Sequence, residues 1–193
     1  MTRFIKITVL FLALFVGACT HQKNPMGKPL PDLTYDYLIP YSPYNGSVII
    51  RQSAVLDPRT KQASQGFIKA PDKLIQRYAK QRFVTQDNHP ELPVRSIFDV
   101  QRLSFYKKSD EENIIGILSG AAADYYTLDL HITLSVVQSN GQLGRPYEIK
   151  LKRELLIPDN TSLAEKEILQ FEFLEKVMTS IDEVITTFMS HMK

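Results

Sequence analysis

Two residues of the chain stand at a spacing that could move a proton. Asp129 and His131 lie two apart in a stretch where apolar and polar residues alternate, so an extended backbone puts both side chains on one face. A carboxylate beside an imidazole is suited to acid–base work. The same spacing is also what the wet face of an ordinary strand looks like. The other histidines, His21, His89 and His191, share no spacing that suggests a metal site. No HExxH, Walker loop, GxSxG elbow or GxGxxG occurs, which are the patterns that zinc, phosphate and acyl-transfer chemistry would require. The nearest string, Gly116-Ile117-Leu118-Ser119-Gly120, has its serine one place late for a nucleophile elbow. One cysteine, Cys19, excludes an intrachain disulfide and any multi-cysteine metal site. The expectation is therefore no catalytic residues, no cofactor and no metal: not an enzyme.

The remaining chemistry belongs to Cys19. Ahead of it stand basic Arg3 and Lys6, an apolar run from Ile7 to Val16, and small Gly17 and Ala18. Those are the three parts of a secretory signal, here residues 1–18. The run is shorter than the roughly 20 apolar residues that span a bilayer as a helix. Val16-Gly17-Ala18-Cys19 resembles the lipobox of bacterial lipoproteins. That resemblance implies a diacylglycerated Cys19, cleavage just before it, and acylation of the new amino terminus. Several acyl chains make a firm anchor where one myristoyl chain does not. The residue after the cysteine is Thr20 and not Asp, which under the lipoprotein sorting rule implies the outer membrane, with the protein facing the periplasm. The alternative is an ordinary signal peptide with a chance cysteine.

Set against the whole chain, 193 residues with 44% hydrophobic and 23% charged suit one globular domain behind a targeting segment. The chain carries 23 bases and 21 acids, and two of the bases, Arg3 and Lys6, fall in the signal, so the mature protein is balanced. That balance argues against nucleic acid, whose binding needs a clustered basic surplus.

Residues 19–45 hold Pro25, Pro29, Pro31, Pro40 and Pro43 among polar residues and read as a lipidated tether favouring extended conformations. Tyr35, Tyr37, Tyr41 and Tyr44 exceed what a flexible linker needs, so part of it is expected either to pack along the domain or to offer a ligand or partner surface. The folded domain is expected over 46–193. Val48, Ile49 and Ile50 suggest a strand over 47–56, closed by the Asp57-Pro58 turn signal. After a polar loop, Pro71 opens a helix that buries Leu74, Ile75, Tyr78 and Phe83 and turns Lys73, Arg77, Lys80 and Arg82 outward. Over 94–107, Phe98 and Val100 have one parity and Leu103 and Phe105 the other, which a bulge near Gln101 reconciles. Strict alternation from Tyr126 to Val136 and from Tyr147 to Leu155 gives two long antiparallel strands. Ser162 and Glu165 then form a capping box for a helix to about Met192, with Ile168, Phe171, Leu174, Met178, Ile181, Ile185 and Phe188 on its apolar stripe. The predicted fold is α+β and two-layer: a mostly antiparallel four-stranded sheet with two helices on one face, in the order β-α-β-β-β-α.

Between two strands, Ile114 to Ala123 reads IIGILSGAAA, unusually apolar for a connection. Either it folds onto the sheet, or Ile114, Ile115, Ile117 and Leu118 form a docking tip for a partner or lipid. The stretches PLPDLTY (29–35), KAPDKLIQRYAKQRF (69–83), DYYTLDLHITL (124–134) and LLIPDNTSLAEKE (155–167) resemble an uncharacterised family of small bacterial outer-membrane lipoproteins. The element order is more loosely similar to that of the lipopolysaccharide-assembly lipoprotein LptE and of auxiliary lipoproteins of lipid-transporting ABC systems. What these resemblances imply is a non-catalytic accessory to envelope assembly or lipid transport, membrane-bound through its lipid and acting on an envelope protein partner. The alternative is a carrier of a lipid or small apolar ligand.

Overall fold

The computed structural model describes residues 30–108 and 123–190. It is a mixed α/β fold. Four strands, β1 (Ser47–Arg51), β2 (Val94–Lys108), β3 (Ala123–Val136) and β4 (Tyr147–Pro158), form one sheet in the order β1-β2-β3-β4. The pairs β2–β3 and β3–β4 are antiparallel, and β1–β2 is parallel. Adjacent parallel strands require a crossover. Here residues 52–93 supply it with two helices, α1 (Pro58–Gln65) and α2 (Pro71–Arg82). With the terminal helix α3 (Leu163–Ser190) that makes three helices, where the sequence predicts two.

The unexpected helix is α1. Its residues, PRTKQASQ, have no apolar stripe, and only Thr60 and Ala63 are buried. Asp57 and Pro58, read above as the end of a strand, are its N-cap and first residue: the Asp57 carboxylate accepts from the Thr60 N–H at 2.6 Å. Tertiary contact holds it. β1 stops at Arg51, which would leave the far half of β2 with a bare edge, a template for unwanted pairing. The Ala54 N–H reaches the Val100 carbonyl at 2.8 Å, and beyond it the Phe105 N–H donates to Oγ1 of Thr60 at 3.0 Å. The helix thus satisfies backbone that no strand covers.

The bulge falls where the change of parity puts it, with the β2–β3 register shifting between Val100 and Arg102. Phe98, Val100, Leu103 and Phe105 consequently share a face with Leu134, Ile132, Leu130 and Leu128 of β3. That face is buried in one core with Leu74, Ile75 and Tyr78 of α2 and Leu174, Val177, Ile181 and Ile185 of α3. The capping box forms as read: the Ser162 N–H donates to Glu165 Oε2 at 3.0 Å, and the Glu165 N–H to Ser162 Oγ at 3.3 Å. The α3 stripe differs from the expected one at its start. Ile168 is exposed, and Phe173 and Val177 take inward positions.

The core also reaches back into the stretch read as tether. Leu33 and Tyr35 are buried, and Tyr35 meets Tyr78 edge-on at 5.1 Å between ring centres. Tyr41 pairs with Phe83, its N–H donating to the Arg82 carbonyl and its carbonyl accepting from Val84. After the single helical turn Pro43–Asn45, with φ of 47° at Tyr44 and 55° at Asn45, Gly46 enters β1. A Cβ at Gly46 would lie 2.1 Å from Cγ of Arg95 and 2.6 Å from the Pro93 carbonyl, so the close approach of β1 to β2 requires glycine there.

Candidate functional site

On the polar face of the sheet, β3 puts Asp129 and His131 in successive cross-strand rows, between Ser104 and Lys152 and between Arg102 and Lys150. Each faces a partner on a neighbouring strand. Asp129 Oδ2 is 3.8 Å from Arg102 Nη1, and His131 Nε2 is 3.9 Å from Glu148 Oε2. Lys150 also pairs with Glu148 and holds its carboxyl below the usual range, chiefly through their hydrogen bond. These contacts run between neighbouring strands along the polar face. Among the described residues no three His, Cys, Asp or Glu side chains gather as a metal would need.

The opposite side of the molecule carries the arrangement that the sequence did not disclose. Arg82, expected to face outward, is buried between α2 and α3. Its Nε donates to Asp182 Oδ1 at 2.9 Å, Nη1 to the Ile39 carbonyl at 3.0 Å, and Nη2 to Thr186 Oγ1 at 3.2 Å. The same Asp182 oxygen accepts the Tyr78 hydroxyl at 2.6 Å. Burial first, and this bond second, raise the Tyr78 phenol far above its ordinary pKa. Tyr78 and Arg82 are four apart, so the helix period stacks them on one side of α2. One carboxylate on α3 thus ties together two side chains of α2, and the arginine extends the tie to the segment 31–39.

That segment runs between the two helices and is fastened mainly to α2. Asp32 accepts from Lys69 at 2.7 Å and from Arg77 at 3.0 Å, and the Tyr35 N–H donates to Gln81 Oε1 at 3.1 Å. The two bases hold the Asp32 carboxyl below its ordinary value. On the α3 side a groove of about 320 Å³ remains between the segment and the helix. Its apolar lining comes from Leu33, Leu38, Phe171 and Met178, and its carboxylates are Asp32, Glu175, Asp182 and Glu183. Asp32 and Asp182 are committed to the bases just named, whereas Glu175 and Glu183 have no ion-pair partner among the described residues. Tyr35 lines the groove too; its hydroxyl is buried with no hydrogen-bond partner among the described residues.

Of the site residues expected from sequence, Cys19, Ile114, Ile115, Ile117 and Leu118 all lie outside the described residues. The groove was legible only as an excess of tyrosines in 35–44, and the Asp182 tie only as an acid flanking an apolar helix stripe. Among the described residues no helix is long and apolar enough to cross a membrane. No protein-family model matches the chain, and no curated protein matches it.

Proposed function

We propose that the protein is a lipid-anchored outer-membrane lipoprotein facing the periplasm, which performs no covalent chemistry and assists envelope assembly or lipid transport by binding a protein partner. The observation that carries this reading is the ordered series of basic residues, apolar run, Gly17-Ala18 and Cys19 at the amino end. A domain whose α2 and α3 pack on one face of the sheet suits such a role. The interior that an apolar carrier would need is occupied: among the described residues Tyr78, Phe98, Phe105, Leu128, Leu130 and Ile181 are fully buried between sheet and helices. That packing favours a protein partner over an enclosed lipid ligand.

The test is Cys19→Ser. Among the described residues the core begins at Leu33, so the domain should fold unchanged. Incorporation of labelled palmitate should be lost, and the protein should leave the membrane fraction. A Cys19→Ser form that remains with membranes after a high-salt wash would refute the anchor.

A further inference from the structure

At one end of the sheet β2 finishes, β3 starts and β4 finishes, and α3 begins beside β4. This end carries a hollow of about 590 Å³ whose apolar walls are Leu156 and Pro158 of β4 and Ile168 and Leu169 of α3. Leu156 is 46% and Ile168 43% exposed, and Leu163, in the first turn of the same helix, is 74% exposed. Glu165, the one carboxylate in the lining among the described residues, is engaged with Ser162 in the capping box. The chain that leads back to Cys19 enters the domain at this same end. Gln170, next to Leu169, accepts from the Ile68 N–H at 2.8 Å, and Lys69 then holds Asp32 at 2.7 Å. Pro31 and Leu33 line a groove with Phe171, so the entry point stands beside the opening turns of α3.

We propose that this end of the domain rests on a lipid bilayer, with Leu156, Leu163 and Ile168 seated among the acyl chains of the leaflet that holds the Cys19 lipid. This inference rests on the reading of Cys19 as the anchor and adds to it an orientation and a second contact. Reach selects the occupant. The 12 residue steps from Cys19 to Pro31 span at most about 40 Å when fully extended and about 20 Å as a relaxed coil. Strand β3, at about 3.4 Å per residue, carries the far end of the sheet about 45 Å away. The tether can barely bring that far end to a membrane, whereas the near end lies within its relaxed reach. Composition agrees: among the described residues the hollow has no Tyr, Trp or Arg in its lining, the anchors that protein interfaces favour. Three exposed aliphatic side chains are a small area to hold a protein on a bilayer by themselves. Joined to an anchor they act at high effective concentration, so a weak contact is enough to fix the orientation.

The experiment uses the full-length acylated protein in vesicles of phosphatidylethanolamine and phosphatidylglycerol. An environment-sensitive fluorophore is placed on Asn160→Cys in the hollow or, as control, on Leu143→Cys, which is 55% exposed and pairs with Val137 beyond the far end of β3. Acylation occupies the thiol of the chain's one cysteine, so each introduced thiol is labelled alone. The 160 probe should lose at least about half its emission to lipids carrying a nitroxide high on the acyl chain, since interfacial apolar surface sits about 5–10 Å deep. The 143 probe should lose almost none. Leu163→Ser with Ile168→Ser should cut the loss at 160 at least about twofold with the melting temperature unchanged, because both side chains are exposed. Equal loss at the two probes, no loss at 160, or indifference to the serine changes would overturn the proposal. A 160 probe shielded from iodide yet untouched by the nitroxide would place polypeptide, from this chain or another, on the hollow and overturn the lipid occupant. Mass spectrometry of the same preparation reads the acyl chains separately. Their absence overturns the anchor and this contact with it, whereas an acylated protein with an unquenched 160 probe overturns the orientation alone.

Discussion

Replacing Asp182 with alanine tests the tie between α2 and α3 most directly. Its Oδ1 is the shared acceptor for the Tyr78 hydroxyl at 2.6 Å and Arg82 Nε at 2.9 Å. The side chain of Arg82 is 10% exposed and that of Asp182 30%. Removing one partner of a buried ion pair costs about 3–5 kcal/mol, because the remaining charge is left uncompensated. Two facts reduce that figure here. Arg82 keeps the Ile39 carbonyl and Thr186 Oγ1, and water can enter from the Asp182 side. Against this, the fully buried Tyr78 hydroxyl loses its acceptor, at about 1–3 kcal/mol. The expected loss is about 3 kcal/mol in all, which for a domain of this size lowers the melting temperature by roughly 6–12 °C. Tyr78→Phe, which leaves the ion pair in place, should cost about 1 kcal/mol, and the double variant should show coupling of a similar size. The chain has no tryptophan, so urea unfolding is best followed by circular dichroism. A loss below about 1 kcal/mol for Asp182→Ala would show that the network seals the helix pair without stabilising it.

Gly46→Ala should destabilise the fold by about 1–3 kcal/mol through overpacking. The Pro93 carbonyl it would meet already accepts the Ser47 N–H at 2.9 Å and cannot retreat freely; a urea midpoint equal to that of the parent would show that β1 shifts at no cost. For Asp32→Asn the prediction concerns pH. Hydrogen bonds from Lys69 and Arg77 lower the Asp32 carboxyl in the folded protein, so its contribution is present above the ordinary carboxylate range, near pH 4, and is lost as pH falls through the lowered value. The parent should therefore exceed the variant in urea midpoint at pH 7, with the gap closing toward pH 3. A gap that widens on acidification would contradict the assignment of both bases to Asp32.

Much of the sheet was legible because burial acts on single residues in a strand. The change of parity between Val100 and Leu103 is a local signature of the bulge, and it locates Gln101 without knowledge of any partner strand. The capping box at Ser162 and Glu165 is local in the same sense. Helix α1 left no such trace, since its eight residues carry no apolar stripe and serve the edge of β2. The dipeptide Asp57-Pro58 is compatible with a turn and with a helix start, and only the distant Phe105 N–H decides between them. Arg82 shows the converse error. A cation in the last turn of an amphipathic helix ordinarily faces water, and nothing within α2 reveals that a carboxylate some 100 positions later will meet it.

The groove has the same origin. Segment 31–39 lies in the proline-rich stretch 19–45 that the sequence predicts as a tether. It is drawn onto the helices by Asp32, Tyr35 and the Ile39 carbonyl, each bonded to α2. Those bonds fasten the segment to α2 and leave the groove on its α3 side.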